Sequence, residues 1–281
     1  EDADREGPPH PVHQVYREST YGVIDVQTVE HKCGIVREDS GNGTDGDDVF
    51  LGGQPDHSLW YMKDRGIVNT GDSLTAIQKL VYQDRKLTMD QLLAALKSDF
   101  EGKEGEKVRR LCLGAPKYGN EIAEADGMVR DVGKFSASVI FQQKNPFGQN
   151  CAINRNGVAW HYYGGKGVGA LPDGRKSGEA LSNGSLSAMQ GADRSGPTAM
   201  LNSAIAADYE ESASSILNLR FPKSLMSTTE SLEKLAALTK TFIFAGGSHV
   251  QYNMLDHRVL LDAQKHPEKY KDLVVRIAGY S

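Results

Sequence analysis

Cysteine is scarce in this chain, and neither it nor histidine stands in a spacing that would assemble a redox or metal centre. The three cysteines, Cys33, Cys112 and Cys151, are odd in number and widely spaced. That pattern excludes a disulfide framework and fits a reducing, cytoplasmic setting with structural, buried or half-buried thiols. No CxxC pair or HExxH run occurs, so no protein-built metal site and no bound cofactor are expected in this stretch. No apolar run approaches the roughly 20 residues needed to cross a bilayer, and no signal-peptide pattern opens the chain, so no membrane association is expected. Positive charge is also in short supply. With 32 Lys and Arg against 37 Asp and Glu, the net charge of -5 leaves no basic stripe for nucleic acid. What remains is ordinary globular material: 281 residues, 39% hydrophobic, enough for one large domain or two modest ones around a buried core.

Residues 12–60 read as mixed, with a Gly/Asp/Asn-rich loop at 39–48. Ser73 to Tyr82 reads as a helix with Leu74, Ile77, Leu80 and Val81 on one face. Thr88 and Gln91 form a capping-box pattern before Leu92, Leu93, Leu96 and Phe100. A short helix is expected over Val108–Leu113, ending before Pro116, and another over Glu121–Gly133, with Phe135–Phe141 extended. Ala152–Tyr163 reads as a strand leading into a Gly-rich passage from Gly164 to Gly196. Pro197–Ala207 reads as helical. Ser227 and Glu230 are expected to cap a further helix with Leu232, Leu235, Leu238, Phe242 and Ile243 inward, ended by Gly246-Gly247. His249–Met254 alternates as a strand, and Asp256 is placed to cap a helix through Gln264. Strands alternating with amphipathic helices predict an α/β fold, a barrel or a doubly wound sheet. Both ends read as cut. The chain opens without Met and stops just past the strand-like run Leu273–Ile277.

Taken alone, Ile277-Ala278-Gly279-Tyr280 is a small-residue turn. Its surroundings change that reading. The stretch from His249 through Asp262-Ala263-Gln264 and His266-Pro267-Glu268 to Arg276-Ile277-Ala278-Gly279-Tyr280-Ser281 resembles the C-terminal signature of the glycyl radical enzymes, the pyruvate formate-lyase-like family. Four upstream stretches resemble the same family, in family order. They are Gly71-Asp72-Ser73-Leu74-Thr75-Ala76-Ile77, Ala115-Pro116-Lys117-Tyr118-Gly119-Asn120, Ala170–Glu179 with its Pro172-Asp173-Gly174-Arg175 core, and Gly196-Pro197-Thr198-Ala199.

The resemblance implies the C-terminal part of the family's α/β barrel, a half-barrel plus a glycyl radical loop. Residues 1–250 would belong to the barrel and 251–281 would start the radical domain. It implies Gly279 as the radical-storing residue. A Cα radical shared between flanking amide groups requires a near-planar centre, which a side chain would crowd, and a dry, walled site. It implies that the radical is installed by a radical-SAM activating enzyme, that small accessory subunits and homo-oligomerisation are to be expected, and that a cysteine passes the radical to substrate. Cys33, Cys112 and Cys151 all lie too close to Gly279 in sequence to be that cysteine, so this segment by itself is expected to be inactive.

Within the family, His161–Lys166 leading to Gly184–Met189, with Asp208-Tyr209 and Ser215–Asn218, looks most like the fumarate-adding branch, which includes benzylsuccinate synthase and alkylsuccinate synthase. The implied substrates are a hydrocarbon such as toluene, and fumarate. Ile67, read at a strand position, with Val158 and Trp160, read on the strand before the Gly-rich loop, are the candidate lining of the hydrocarbon site. Ordinary core packing is at least as good a reading of each. A glycyl radical decarboxylase or dehydratase is the alternative.

A nucleotide-binding protein is the remote alternative, because Gly164–Gly169 and Gly174-Arg175-Lys176-Ser177 imitate a phosphate loop. Arg175 is inserted where the P-loop needs its Lys-Ser, and Pro172 removes an N–H, so a tight structural loop near the active site is preferred. Arg175 and Lys176 read as a solvated turn rather than as fumarate ligands. His249, Gln251 and Asn253, which share one strand face, read as a buried hydrogen-bonded row.

Overall fold

The computed structural model describes residues 61–63, 65–144, 150–155, 160–207, 212–221, 227–247, 249–254 and 257–270. β1 (Tyr61–Lys63) leads into α1 (Ile67–Ile77), which widens into a π-helical turn (Gln78–Gln83). Then follow α2 (Met89–Lys97), α3 (Gly102–Gly114), α4 (Ala123–Ile140), β2 (Ala152–Arg155) and α5 (Trp160–Lys166). After a long passage of turns come α6 (Pro197–Ala206), β3 (Ser212–Ser215), β4 (Leu217–Phe221), α7 (Thr229–Phe244), β5 (Val250–Met254) and α8 (His257–Lys265).

Every pairing between these strands is parallel. β1, β2 and β3 form one sheet, and β4 pairs with β5 in register from Leu217–Val250 to Phe221–Met254. The two sheets share one run of chain, because β3 and β4 are separated only by Ile216. That residue bridges Ser185 of the turn-rich passage instead of a strand. Ser185 takes a positive φ of 79° just after Gly184 at 70°. A Cβ on Gly184 would lie 2.7 Å from the Ile216 carbonyl oxygen, so only glycine permits this approach. Strands of this kind with helices between them fulfil the expected α/β class.

Two apolar cores lie among the helices. One joins Ile67 and Val68 of α1, Tyr118, Val129 of α4, Met200 and Leu201 of α6, Leu217, Leu219 and Phe221 of β4, and Phe242 of α7. The other is helical, from Ala76 and Leu80 through Leu92, Ala95 and Phe100 to Val108, Cys112 and Ala115. Burying each large side chain in such a core contributes about 1.5–3 kcal/mol.

Local chemistry explains most boundaries. Thr88 and Gln91 form the expected reciprocal cap of α2, and Pro197 opens α6. The cap of α7 falls one residue later than expected, on Thr228 and Ser231. Gly246, at φ 97°, ends the helix, and the Gly247 N–H donates to the Phe242 carbonyl.

Other expectations are overturned. α1 starts at Ile67, so that residue opens a helix and occupies no strand. Leu74, Leu232 and Ile243 are solvent-facing rather than inward. α3 begins at Gly102, well before Val108, because Gly105 packs against the Phe100 backbone, where a Cβ would come within 2.5 Å. The expected extended segment Phe135–Phe141 is the last part of the continuous helix α4, whose Gly133 is a close-approach site for the Arg155 guanidinium and not a helix end. Trp160 likewise begins a helix, so the strand expected over Ala152–Tyr163 ends at Arg155 among the described residues.

Candidate functional site

Of the residues expected to carry function, Gly279 and Val158 lie outside the described residues, as do Cys33, Asp256 and the run Leu273–Ile277. Ile67 is buried in the strand-side core with Tyr118 and Met200. Trp160 is not part of that cluster. It is 43% exposed on the first turn of α5, with the Arg65 guanidinium 5.0 Å from its ring centre. His249 is exposed and Gln251 and Asn253 are half-buried, so the row expected to be buried is open on this face. Cys112 and Cys151 are free and buried, as expected of structural thiols, and burial pushes the Cys112 thiol up to about 11.

Three of the four upstream stretches that carry the family resemblance converge on one buried polar hub, and the fourth opens α6, whose Ser203 joins it. Asp72, in the middle of α1, is fully buried and accepts a 2.8 Å hydrogen bond from the Tyr118 N–H. One turn earlier, Asn69 donates to the Asp173 carboxylate at 2.8 Å and accepts from the Ser182 N–H at 2.8 Å. Lys117 donates from Nζ to the Cys112 and Ala115 carbonyls at the end of α3, where the Cys112 oxygen also accepts from the Ala115 N–H. Asn120 donates to the Lys117 and Ala192 carbonyls and accepts from the N–H groups of Arg194 and Ser195. Ser203 of α6 accepts from the Glu121 N–H and donates to Asp126 of α4. Gly71 allows α1 to lie directly on Val129 of α4, where a Cβ would fall 2.5 Å from Val129 Cγ2.

Arg175 overturns its reading as a solvated turn. It is 1% exposed, and its guanidinium donates to the carbonyls of Gly165, Val168, Gly169 and Glu179, while its backbone N–H donates to Asp173. The Gly-rich loop therefore turns its carbonyl oxygens inward onto a cation. A phosphate cradle needs the opposite polarity, N–H groups facing an anion. The preference for a structural loop is supported by this geometry.

Burial dominates the electrostatics. It raises Asp72 from the usual carboxylate range to about 7, against the Tyr118 N–H bond and the field of Lys117. It raises Asp173 and Asp126 as well, and pushes Lys117 down, with Asp72 and Asp173 opposing that shift and Arg194 adding to it. The hub thus gathers carboxyl groups that burial shifts toward the protonated form, Asp72 furthest, around the Lys117 amine. Sequence reasoning quoted Asp72, Lys117, Asn120 and Asp173 as motif letters and passed over Asn69, Asp126, Ser182 and Ser203; it did not place them together, because contacts span 46, 104 and 113 positions.

Comparison with known proteins agrees with the order of these stretches. Residues 44–163 match the family described as pyruvate formate lyase-like, and residues 182–281 match the glycine radical family. The chain is 40% identical to isethionate sulfite-lyase of Nitratidesulfovibrio vulgaris over 80% of its length, which is 27% of that protein. It is 35% identical to trans-4-hydroxy-L-proline dehydratase of Clostridioides difficile over 79% of its length and 28% of the relative. The fold superposes on the glycerol-bound B12-independent glycerol dehydratase of Clostridium butyricum with a TM-score of 0.73, at 37% identity over 80% of this chain and 28% of that one. The chain therefore spans just over a quarter of the relatives it matches. Their names are those of a lyase and of dehydratases. Addition of a hydrocarbon to fumarate, and benzylsuccinate synthase in particular, finds no support in them.

Proposed function

The chain belongs to the glycyl radical enzymes of the pyruvate formate-lyase-like family, and from that premise we propose that it serves radical elimination, breaking a carbon–heteroatom bond in a small hydroxylated substrate. The observation that carries this reading is the 40% identity to a sulfite-lyase over four-fifths of the chain, with dehydratases at 35% and 37%. It replaces fumarate addition, which rested on shorter stretches around His161–Lys166 and Gly184–Met189, and it adopts the dehydratase side of the alternative drawn from the sequence.

In this reading Gly279 stores the radical after a radical-SAM activating enzyme has removed one Cα hydrogen. The radical passes to a cysteine thiol outside the matched stretch. The thiyl radical takes a hydrogen atom from the carbon bearing the substrate hydroxyl, a base accepts the hydroxyl proton, and the leaving group departs from the neighbouring carbon with its bonding electron pair. The carbonyl-conjugated radical left behind recovers a hydrogen atom from the thiol. This chain's share is to hold the glycyl loop and to wall part of the barrel against water. Ile67, Val158 and Trp160 stay proposed as wall residues, now for a polar substrate. Of these, Trp160, being half-exposed beside Arg65, has a surface free to face one.

The test is anaerobic activation of the full-length protein. An electron paramagnetic resonance doublet that vanishes in Gly279→Ala is the expected result for the radical. Incubation with isethionate, 1,2-propanediol and glycerol should then release sulfite or an aldehyde. Formation of benzylsuccinate from toluene and fumarate, with no elimination product, would restore the fumarate-adding reading.

A further inference from the structure

A cavity of about 740 Å³ opens beside the hub, between the end of α3, the Pro116–Asn120 segment, the turn at Asp173–Arg175 and the Met189–Ser195 loop. Its wall has two kinds of surface. Leu113 and Ile122, 39% and 37% exposed, line it with Pro116, Ala180, Met189 and Ala192. The charged groups on the wall are Arg109, Lys117, Arg175 and Arg194 against Asp173 and Glu179. Among the described residues none of the four cations comes within ion-pair distance of a carboxylate.

The two carboxylates are already engaged. Asp173 accepts from Asn69 and from the Arg175 N–H, and Glu179 accepts from the Lys176 N–H. The carbonyl end of α3 also faces this space, but Lys117 bonds two of its oxygens. Arg109 anchors only its Nε, on the Gly174 carbonyl, and Arg194 only its Nε, on Gly191, which leaves their terminal nitrogens available as donors. A volume in the range of ligand pockets, mostly apolar and with a few convergent cations, calls for an amphipathic anion.

We propose that this cavity binds a small organic anion, its hydrocarbon body against Leu113, Ile122 and Met189 and its carboxylate or sulfonate among Lys117, Arg109 and Arg194. The proposal is independent of which bond the enzyme breaks.

Calorimetric titration of the full-length protein tests it, with phenylacetate and benzenesulfonate as probes and with benzyl alcohol and inorganic sulfate as controls for body and charge. Saturable binding of either aryl anion, at least about tenfold tighter than both controls, is expected. Which of the two binds tighter identifies the head group. Arg194→Gln and Ile122→Asp alter exposed wall residues and should each weaken binding roughly tenfold while the melting temperature of the unliganded protein is unchanged. Absence of saturable binding, equal binding of benzyl alcohol or of sulfate, or affinity untouched by both substitutions would overturn the proposal.

Discussion

The two buried regions that flank α1 are built on opposite principles. Around its last turn and the π-helical segment, the helical core is apolar from Ala76 through Leu92 and Phe100 to Ala115. Around its middle, Asn69 and Asp72, as deeply buried as the leucines of that core, enter a polar hub. The apolar core tolerates exchange of one hydrocarbon for another, because dispersion and burial are non-directional. The hub does not, because its hydrogen bonds are directional and an orphaned buried polar group costs its full desolvation. One helix thus carries a replaceable half and a specified half.

Substitutions that strike the two halves separately break or sharpen this contrast. Arg175→Ala should be the most damaging, since it removes four buried hydrogen bonds to loop carbonyls at once, although the Val168 and Gly178 N–H groups still reach the Gly165 and Val168 oxygens; a loss of about 4–5 kcal/mol in denaturant unfolding is expected. Arg175→Lys should recover little, because an ammonium cannot span the carbonyls that the planar guanidinium reaches.

Asp72→Asn should reveal the hub's proton. With the folded-state value near 7 and the ordinary carboxylate value at 3.8, the native protein holds more protons than the unfolded chain between these limits. The contribution is fully present below about 3.8 and is lost as pH rises through 7. The Asn variant should therefore gain on the native protein as pH rises from 4 to 7, by roughly 4 kcal/mol at most, and run parallel to it above. A difference independent of pH would mean that Asp72 does not titrate in that window.

In the apolar half, Leu92→Ala should cost about 3 kcal/mol and Leu92→Met less than about 1.5. If Leu92→Ala proved costlier than Arg175→Ala, the contrast between the halves would fail. The smallest effect, about 1 kcal/mol, is expected for Thr88→Ala, which removes the α2 cap and can be followed by the thermal midpoint.

The same contrast explains what could be read in advance. The Thr88–Gln91 cap, the Pro197 start and the Gly246-Gly247 end are written within a few residues of where they act, and they are found where local chemistry puts them. The misjudged elements depend on distant neighbours. Gly105 and Gly133 look like helix breakers until Phe100 and Arg155 come to rest against them. Arg175, in an Asp-Gly-Arg turn of the kind that usually faces water, is buried because the chain from Gly165 to Gly169 folds back over it. For the hub, the sequence supplied the right letters in the right order but no distance between them. The proposed radical position is the reverse case: Gly279 is legible as a motif, and it lies outside the described residues.

The passage of one run of chain, β3 and then β4, through two sheets has a further consequence. β3 is aligned against β2 and β4 against β5, with Ile216 between them held by the Ser185 bridge. A slip of two residues in either sheet would drag the other with it and tear Ile216 from its partner. Alignment of the two sheets is therefore coupled through Ile216, and the extra residue that β3 takes up opposite Ile153–Arg155 is where one pairing can be adjusted without the other. A pairing error beyond that one residue cannot stay local.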